Sequence, residues 1–135
     1  MKILITGGAG FIGSYLSDRL LERGDEVFVV DDLSTGSLAN VEQNQNQKRF
    51  HLIVDTILNE AVMNELVFKC DQIYHMAAAV GVKLIMNRPV ETLETNVKGT
   101  EMILMLANRY KKRFLLPQAA RCMVKLWMEG TPSFF

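Results

Sequence analysis

The chain has 135 residues, 49% of them hydrophobic and 22% charged, with 15 Lys and Arg against 15 Asp and Glu. This is ordinary globular composition, long enough for one domain with a real core and too short for a two-domain enzyme. Zero net charge argues against a surface made for nucleic acid or an anionic membrane, and no apolar run reaches membrane-spanning length.

In chain order, Lys2–Thr6 (K-I-L-I-T) is a short β-branched, apolar run of the kind found in buried parallel strands, broken by Gly7, Gly8 and Gly10. It leads into glycines and not into a cleavage site, so no signal peptide is expected. A helix follows from Phe11 to Arg23, with Phe11, Ile12, Tyr15, Leu16, Leu20 and Leu21 as its apolar positions and Gly24 as its C-cap. Glu26–Val30 is a second strand, closing at Asp31-Asp32 before a turn-rich loop, Leu33–Ser37. The polar stretch Glu42–Gln47 (E-Q-N-Q-N-Q) reads as a solvated loop or frayed helix end.

Phe50–Val54 is a third strand, ending at Asp55, and Leu58 to Phe68 an amphipathic helix. Gln72–Met76 is a fourth strand, running into Ala77-Ala78-Ala79. Val90 to Tyr110 has the spacing of a long helix, its apolar set being Val90, Leu93, Val97, Met102, Ile103, Met105 and Leu106. The basic cluster Arg109–Arg113 suits that helix's C-terminus, and Phe114–Leu116 begins a fifth strand. Alternating strands and helices make a doubly wound α/β domain with a parallel sheet covered on both faces. Cys70 and Cys122 stand far apart without a CxxC pair, which fits a reducing, cytoplasmic setting and no metal site.

The strongest chemical signal is Thr6–Gly13, T-G-G-A-G-F-I-G, a G-x-x-G-x-x-G pattern between a strand and a helix. Gly7 allows a tight exit from the strand. Gly10 removes a Cβ where the backbone must approach a pyrophosphate, and Gly13 permits close packing of the helix. The helix start offers free N–H groups and a positive dipole end to phosphates. Asp31, at the end of the second strand, stands where ribose recognition is expected. Its carboxylate would accept from ribose hydroxyls and repel a 2′-phosphate, which favours NAD over NADP.

Four motifs in order, T-G-G-A-G-F-I-G, V-V-D-D-L-S-T-G (Val29–Gly36), H-M-A-A-A (His75–Ala79) and E-T-N-V-K-G-T (Glu94–Thr100), resemble the extended short-chain dehydrogenases/reductases. Within them, the chain is similar to the NAD-dependent sugar-nucleotide epimerases, dehydratases and decarboxylases, from Met1 to about Leu116. The resemblance implies a Rossmann-like doubly wound sheet over 1–116, incomplete on its C-terminal side. It also implies that Gly7, Gly10, Phe11, Ile12 and Gly13 hold the pyrophosphate of NAD. Asp31 would take the adenosine ribose with Asp32, Leu33, Ser34, Thr35 and Gly36 nearby, and Asp55 and Thr56 would border the adenine. Ala77, Ala78 and Ala79 would line the nicotinamide side, with Asn96 the active-site helix asparagine. Family members act on nucleotide-sugars, and many dimerise through the equivalent of the Val90–Tyr110 helix.

Bottom-up, the alanines serve close helix–sheet packing equally well, and Asn96 a buried structural hydrogen bond. His75 and His51 read as satisfied core histidines, and the eight methionines as gap-fillers.

Catalysis in this family is expected from a segment resembling S-S-x-x-V-Y-G and a later Tyr-x-x-x-Lys, whose Lys lowers the Tyr pKa for proton transfer. Here Tyr15, Tyr74 and Tyr110 are followed four places on by Arg19, Ala78 and Phe114. The tail 117–135 abandons the strand–helix rhythm. Plausible codons for it, with third bases chosen freely, regroup after loss of one nucleotide before Pro117 to encode S-S-S-E-V-Y-G. The expectation is therefore a frameshifted tail on a truncated, inactive cofactor-binding domain. The alternatives left open are a non-catalytic dinucleotide-binding module or sensor, and a methyltransferase using the glycine loop for a nucleoside ligand.

Overall fold

Among the residues that the computed structural model describes, 1–77 and 86–117, five parallel strands form one sheet in the order β3-β2-β1-β4-β5. They are β1 (Lys2–Thr6), β2 (Glu26–Asp31), β3 (Phe50–Val54), β4 (Gln72–His75) and β5 (Arg113–Leu115). Three helices connect them: α1 (Phe11–Arg23), α2 (Glu60–Lys69) and α3 (Pro89–Arg109). The sequence-predicted α/β class and parallel sheet are as expected. No described helix is long and apolar enough to cross a membrane.

Side-chain alternation along each strand makes two cores. Ile3, Ile5, Val27, Val29 and Phe50 pack with Leu20 and Leu21 of α1 and with Val41 on one face. Leu4, Phe28, Val30 and Ile73 pack on the other face with Met63, Leu66 and Val67 of α2 and Ile103, Leu106 and Ala107 of α3. Both faces of β1 and β2 are covered, so these strands are apolar almost throughout. The outer strands β3 and β5 are half-covered and tolerate His51 and Arg113.

The chain winds from β1 through β2 to β3 on one side, then returns to β4 and β5 on the other. The direction of winding reverses between β1 and β4, whose register pairs Thr6 with His75. A crevice at the carboxyl ends of these two strands follows from that topology.

Several local expectations are corrected. Phe11, Ile12 and Tyr15 are not core residues of α1: they are 89%, 68% and 61% exposed. The buried face is Gly13, Ser14, Ser17, Leu20 and Leu21. A Cβ on Gly13 would lie 2.4 Å from the Gly7 carbonyl oxygen, so the first turns of α1 have room only for small side chains inward. In α3, Val90, Leu93 and Met105 face outward, while Thr92, Asn96, Gly99 and Thr100 join the buried side.

The polar stretch Glu42–Gln47 is exposed, as expected of a solvated loop, except at Asn44. Two 3₁₀ turns, Leu38–Asn40 and Glu42–Asn44, flank the buried Val41. Asn44 is buried too, its amide donating to Asp18 on α1, with Gln47 Nε2 donating to Asn44 Oδ1 at 2.8 Å. Element ends shift by one or two residues. Asn59 caps α2, its Oδ1 accepting from Val62 N–H, so the helix starts at Glu60 and not at Leu58. Pro89 opens α3. Strand β2 includes Asp31, β4 stops at His75, and β5 covers Arg113–Leu115.

Candidate cofactor site

The glycine loop leaves β1 at the crevice. Gly7 has φ +71°, and its N–H donates to the Val30 carbonyl at 2.7 Å. A Cβ there would lie 2.7 Å from the Ala77 backbone, so only glycine lets the loop pass the end of β4. Gly10 is extended and forms the N-cap of α1, its N–H donating to Gly7 O at 3.2 Å and its carbonyl accepting from Ser14 N–H at 3.0 Å. Among the described residues no side chain caps this helix start, and its first turn holds no acid. A Cβ on Gly10 would meet only the Gly7 carbonyl, at 3.3 Å. The outer side of the loop is therefore open where phosphate oxygens would need to approach backbone N–H groups.

Asp31 stands at the end of β2 beside this loop and is buried. Its Oδ2 accepts from Ala9 N–H at 2.9 Å and its Oδ1 from Leu33 N–H at 2.8 Å. Each carboxylate oxygen has a further lone pair, so these bonds leave acceptor capacity for ribose hydroxyls. Leu33 takes a positive φ of 61° as the chain turns. Asp32 is exposed, its Oδ1 accepting from both the N–H and the hydroxyl of Ser34 at 3.0 and 2.7 Å. Thr35 is exposed, and Gly36 folds back against Ala9 and Asp31.

Asp55 follows β3, its N–H reaching the Asp31 carbonyl at 3.3 Å. Its carboxylate is engaged locally, accepting from Thr56 N–H at 2.7 Å and Asn59 Nδ2 at 2.9 Å, which fixes the approach to α2. Thr56 is exposed at the same rim. The sheet thus brings Gly7, Gly10, Gly13, Asp31–Gly36, Asp55, Thr56 and Ala77 to one edge, with Phe11 and Ile12 exposed at the start of α1. Ala78 and Ala79 lie outside the described residues. Asn96 is buried on the face of α3 that also carries Thr92 and Thr100.

Beneath Ala77 lies a buried polar chain. Thr6 Oγ1 is 2.6 Å from His75 Nδ1, His75 Nε2 is 2.9 Å from Thr100 Oγ1, and Ala77 N–H donates to Thr6 Oγ1 at 3.2 Å. Thr6, His75 and Thr100 are all buried, and burial pushes the His75 imidazole down to about 4. Both ring nitrogens have partners, so His75 is the satisfied core histidine expected, while it also ties β1, β4 and α3 together. His51 is different: it is half-exposed, 2.9 Å from Glu26 Oε1 and stacked on Phe28. Sequence reasoning passed over Thr6, Thr100 and Ala9 because small residues in a strand end, a helix and a glycine run carry no periodic signal.

Residues 4–121 match the family model described as GDP-mannose 4,6 dehydratase. UDP-glucuronic acid decarboxylase 4 of Arabidopsis thaliana is 42% identical over 116 residues, which are 86% of this chain and 25% of that protein. UDP-N-acetyl-alpha-D-glucosaminuronate decarboxylase of Bacillus cytotoxicus is 38% identical over 133 residues, 98% of this chain and 40% of its own. Among solved structures, dTDP-glucose 4,6-dehydratase of Streptomyces venezuelae with NAD bound superposes with a TM-score of 0.77 at 32% identity, covering 83% of this chain and 37% of that one. The chain spans about a quarter of the plant decarboxylase and two fifths of the bacterial one. With its glycine loop at the crevice of a parallel sheet, the chain belongs to the GDP-mannose 4,6 dehydratase family of NAD-dependent, extended short-chain sugar-nucleotide epimerases, dehydratases and decarboxylases.

Proposed function

We propose that this chain is the NAD-binding portion of a sugar-nucleotide epimerase, dehydratase or decarboxylase and does not turn over substrate by itself. The observation that carries this reading is the open, uncapped start of α1 behind Gly10, set beside the Asp31 carboxylate. Backbone N–H groups at Phe11, Ile12 and Gly13 suit the two charges of a pyrophosphate. Asp31 suits two ribose hydroxyls and disfavours a 2′-phosphate by charge repulsion, so NAD is the cofactor and NADP the poorer ligand. Asp55 and Thr56 border the adenine, and Ala77 the nicotinamide side. Relatives bound to NAD support the same assignment.

When bound, NAD supplies a hydride acceptor for transient oxidation of a sugar hydroxyl. The proton must go to a base, and the chain carries no Tyr-x-x-x-Lys pair to take it. Nucleotide-sugar binding and proton transfer therefore belong to a longer protein of this family. Its assembly is a homodimer in this reading, supported by Val90, Leu93 and Leu104, exposed at helical spacing on α3 with Met105 beside them.

Calorimetric titration of the full chain tests this. NAD should bind, NADP should bind at least about tenfold more weakly, and Asp31→Ala should narrow that gap. Mixing the chain with NAD and UDP-glucuronate should give no absorbance of reduced cofactor. Absence of NAD binding by the wild-type chain would overturn the assignment.

A further inference from the structure

Ala9 lies between the ribose-reading carboxylate and the phosphate loop, and no contact assigned so far uses its carbonyl. The residue is fully buried. Its N–H donates to Asp31 Oδ2, while its carbonyl accepts from Ser37 N–H at 3.0 Å and from Asn40 Nδ2 at 2.9 Å. A Cβ on Gly36 would sit 2.9 Å from the Ala9 carbonyl carbon and oxygen, so the loop after β2 rests directly on this peptide. Asn40 is itself exposed, yet it sits on an anchored turn: its N–H donates to Ser37 O at 3.1 Å, and the next residue, Val41, is fully buried.

This arrangement matters because the loop it grips is mostly glycine. Gly7, Gly8 and Gly10 give it far more backbone freedom than other residues would, and that freedom must be lost before N–H groups can converge on an anion. The bond from the Ala9 N–H holds the Gly8–Ala9 peptide, and the bonds to its carbonyl hold the Ala9–Gly10 peptide, which leads into the start of α1. Asn40 supplies the one side-chain donor in that grip among the described residues.

We propose that Asn40 is a positioning residue: through the Ala9 carbonyl it braces the glycine loop in the conformation that presents the first N–H groups of α1 to a diphosphate. The brace rests on the cofactor reading above, but it is a property of the ligand-free chain as well, and the two can fail separately.

The test uses the full chain as wild type, Asn40→Ala and the similarly sized Asn40→Leu. Amide hydrogen exchange without ligand is followed by NMR, and NAD and ADP are titrated in parallel. Exchange at Ala9 and Gly10 should speed up about fivefold in both variants, with Ile3 and Ile5 in β1 unchanged, and affinity for NAD and ADP should fall about fivefold. Unchanged exchange at Ala9 and Gly10 overturns the proposal. So does faster exchange spread evenly through β1, which would make Asn40 a general stabiliser, and so does faster loop exchange with undiminished affinity. A wild-type chain that binds neither NAD nor ADP overturns the cofactor reading instead, and the exchange rates alone then decide whether Asn40 braces the loop.

Discussion

Gly10 and Gly7 belong to one loop but do different work, and substitution should separate them. A Cβ on Gly7 meets the Ala77 backbone at 2.7 Å in a backbone conformation with positive φ. Gly7→Ala should therefore destabilise the fold by about 2 kcal/mol or more. A Cβ on Gly10 meets only one carbonyl oxygen at 3.3 Å. Gly10→Ala should melt close to wild type yet bind NAD about tenfold more weakly, because the methyl group occupies the phosphate side of the loop. Thermal melts and NAD titrations of the two variants check this, and the opposite ranking would contradict it. His75 makes a separate prediction. Burial lowers its pKa to about 4, against about 6.5 for a free imidazole. Above pH 6.5 the ring is neutral folded and unfolded. Between pH 6.5 and 4 the unfolded chain takes up a proton that the folded chain resists, so stability falls on acidification by about 3 kcal/mol in all. Urea melts at pH 7, 5.5 and 4.5 should show this loss in the wild type and much less of it in His75→Gln. Equal slopes would mean that His75 is not the titrating group.

At the scale of elements, α1 shows how an apolar period can point the wrong way. Phe11, Ile12 and Tyr15 have helical spacing, but the glycine loop presses so closely on the first turns that Gly13, Ser14 and Ser17 must face inward. Phe11→Ser and Ile12→Ser should therefore change stability by no more than about 0.5 kcal/mol, where a core residue would cost several times that. Melting temperatures decide between the two. The parallel sheet, the order of strands and helices, the glycine turn, Asp31 and the Gly24 cap were legible because each carries a local signature of run length, punctuation or spacing. The inward faces of α1 and α3, the Asp18–Asn44 tie and the Thr6–His75–Thr100 chain were not. They are made by small and polar residues whose burial depends on partners about 25 to 70 positions away, and no periodicity announces such pairs.

For the whole molecule, the tail from residue 118 to residue 135 lies outside the described structure, and its frame is open to test. Alignment with the Bacillus cytotoxicus decarboxylase runs over 98% of the chain, as a tail in frame would. Codons with freely chosen third bases can be regrouped to spell S-S-S-E-V-Y-G at the place where the family resemblance leads one to expect it. Our prediction is that the encoding DNA beyond codon 116 continues in a shifted frame through that segment to a Tyr-x-x-x-Lys. Sequencing the encoding DNA from that codon onward checks it, and a downstream region with no such frame would rule it out. A further expectation follows from α3: the full chain should self-associate at micromolar concentration in sedimentation runs, and Leu104→Asp should reduce that.

Asp31 also sets a limit on redesign. On the cofactor reading above, a preference for a 2′-phosphate would require losing the negative charge of this side chain. Here the same carboxylate holds the Ala9 N–H at 2.9 Å and the Leu33 N–H at 2.8 Å. A swap to alanine would take away the repulsion and the loop's anchor together, leaving a buried amide with no acceptor. Any route from one dinucleotide to the other, by engineering or by drift, must pass through a residue that keeps an oxygen there, such as Asn or Ser, with the new positive charge supplied from Asp32 onward. On that same reading, selectivity and loop architecture thus rest on one side chain, and a substitution there that ignores the loop alters both.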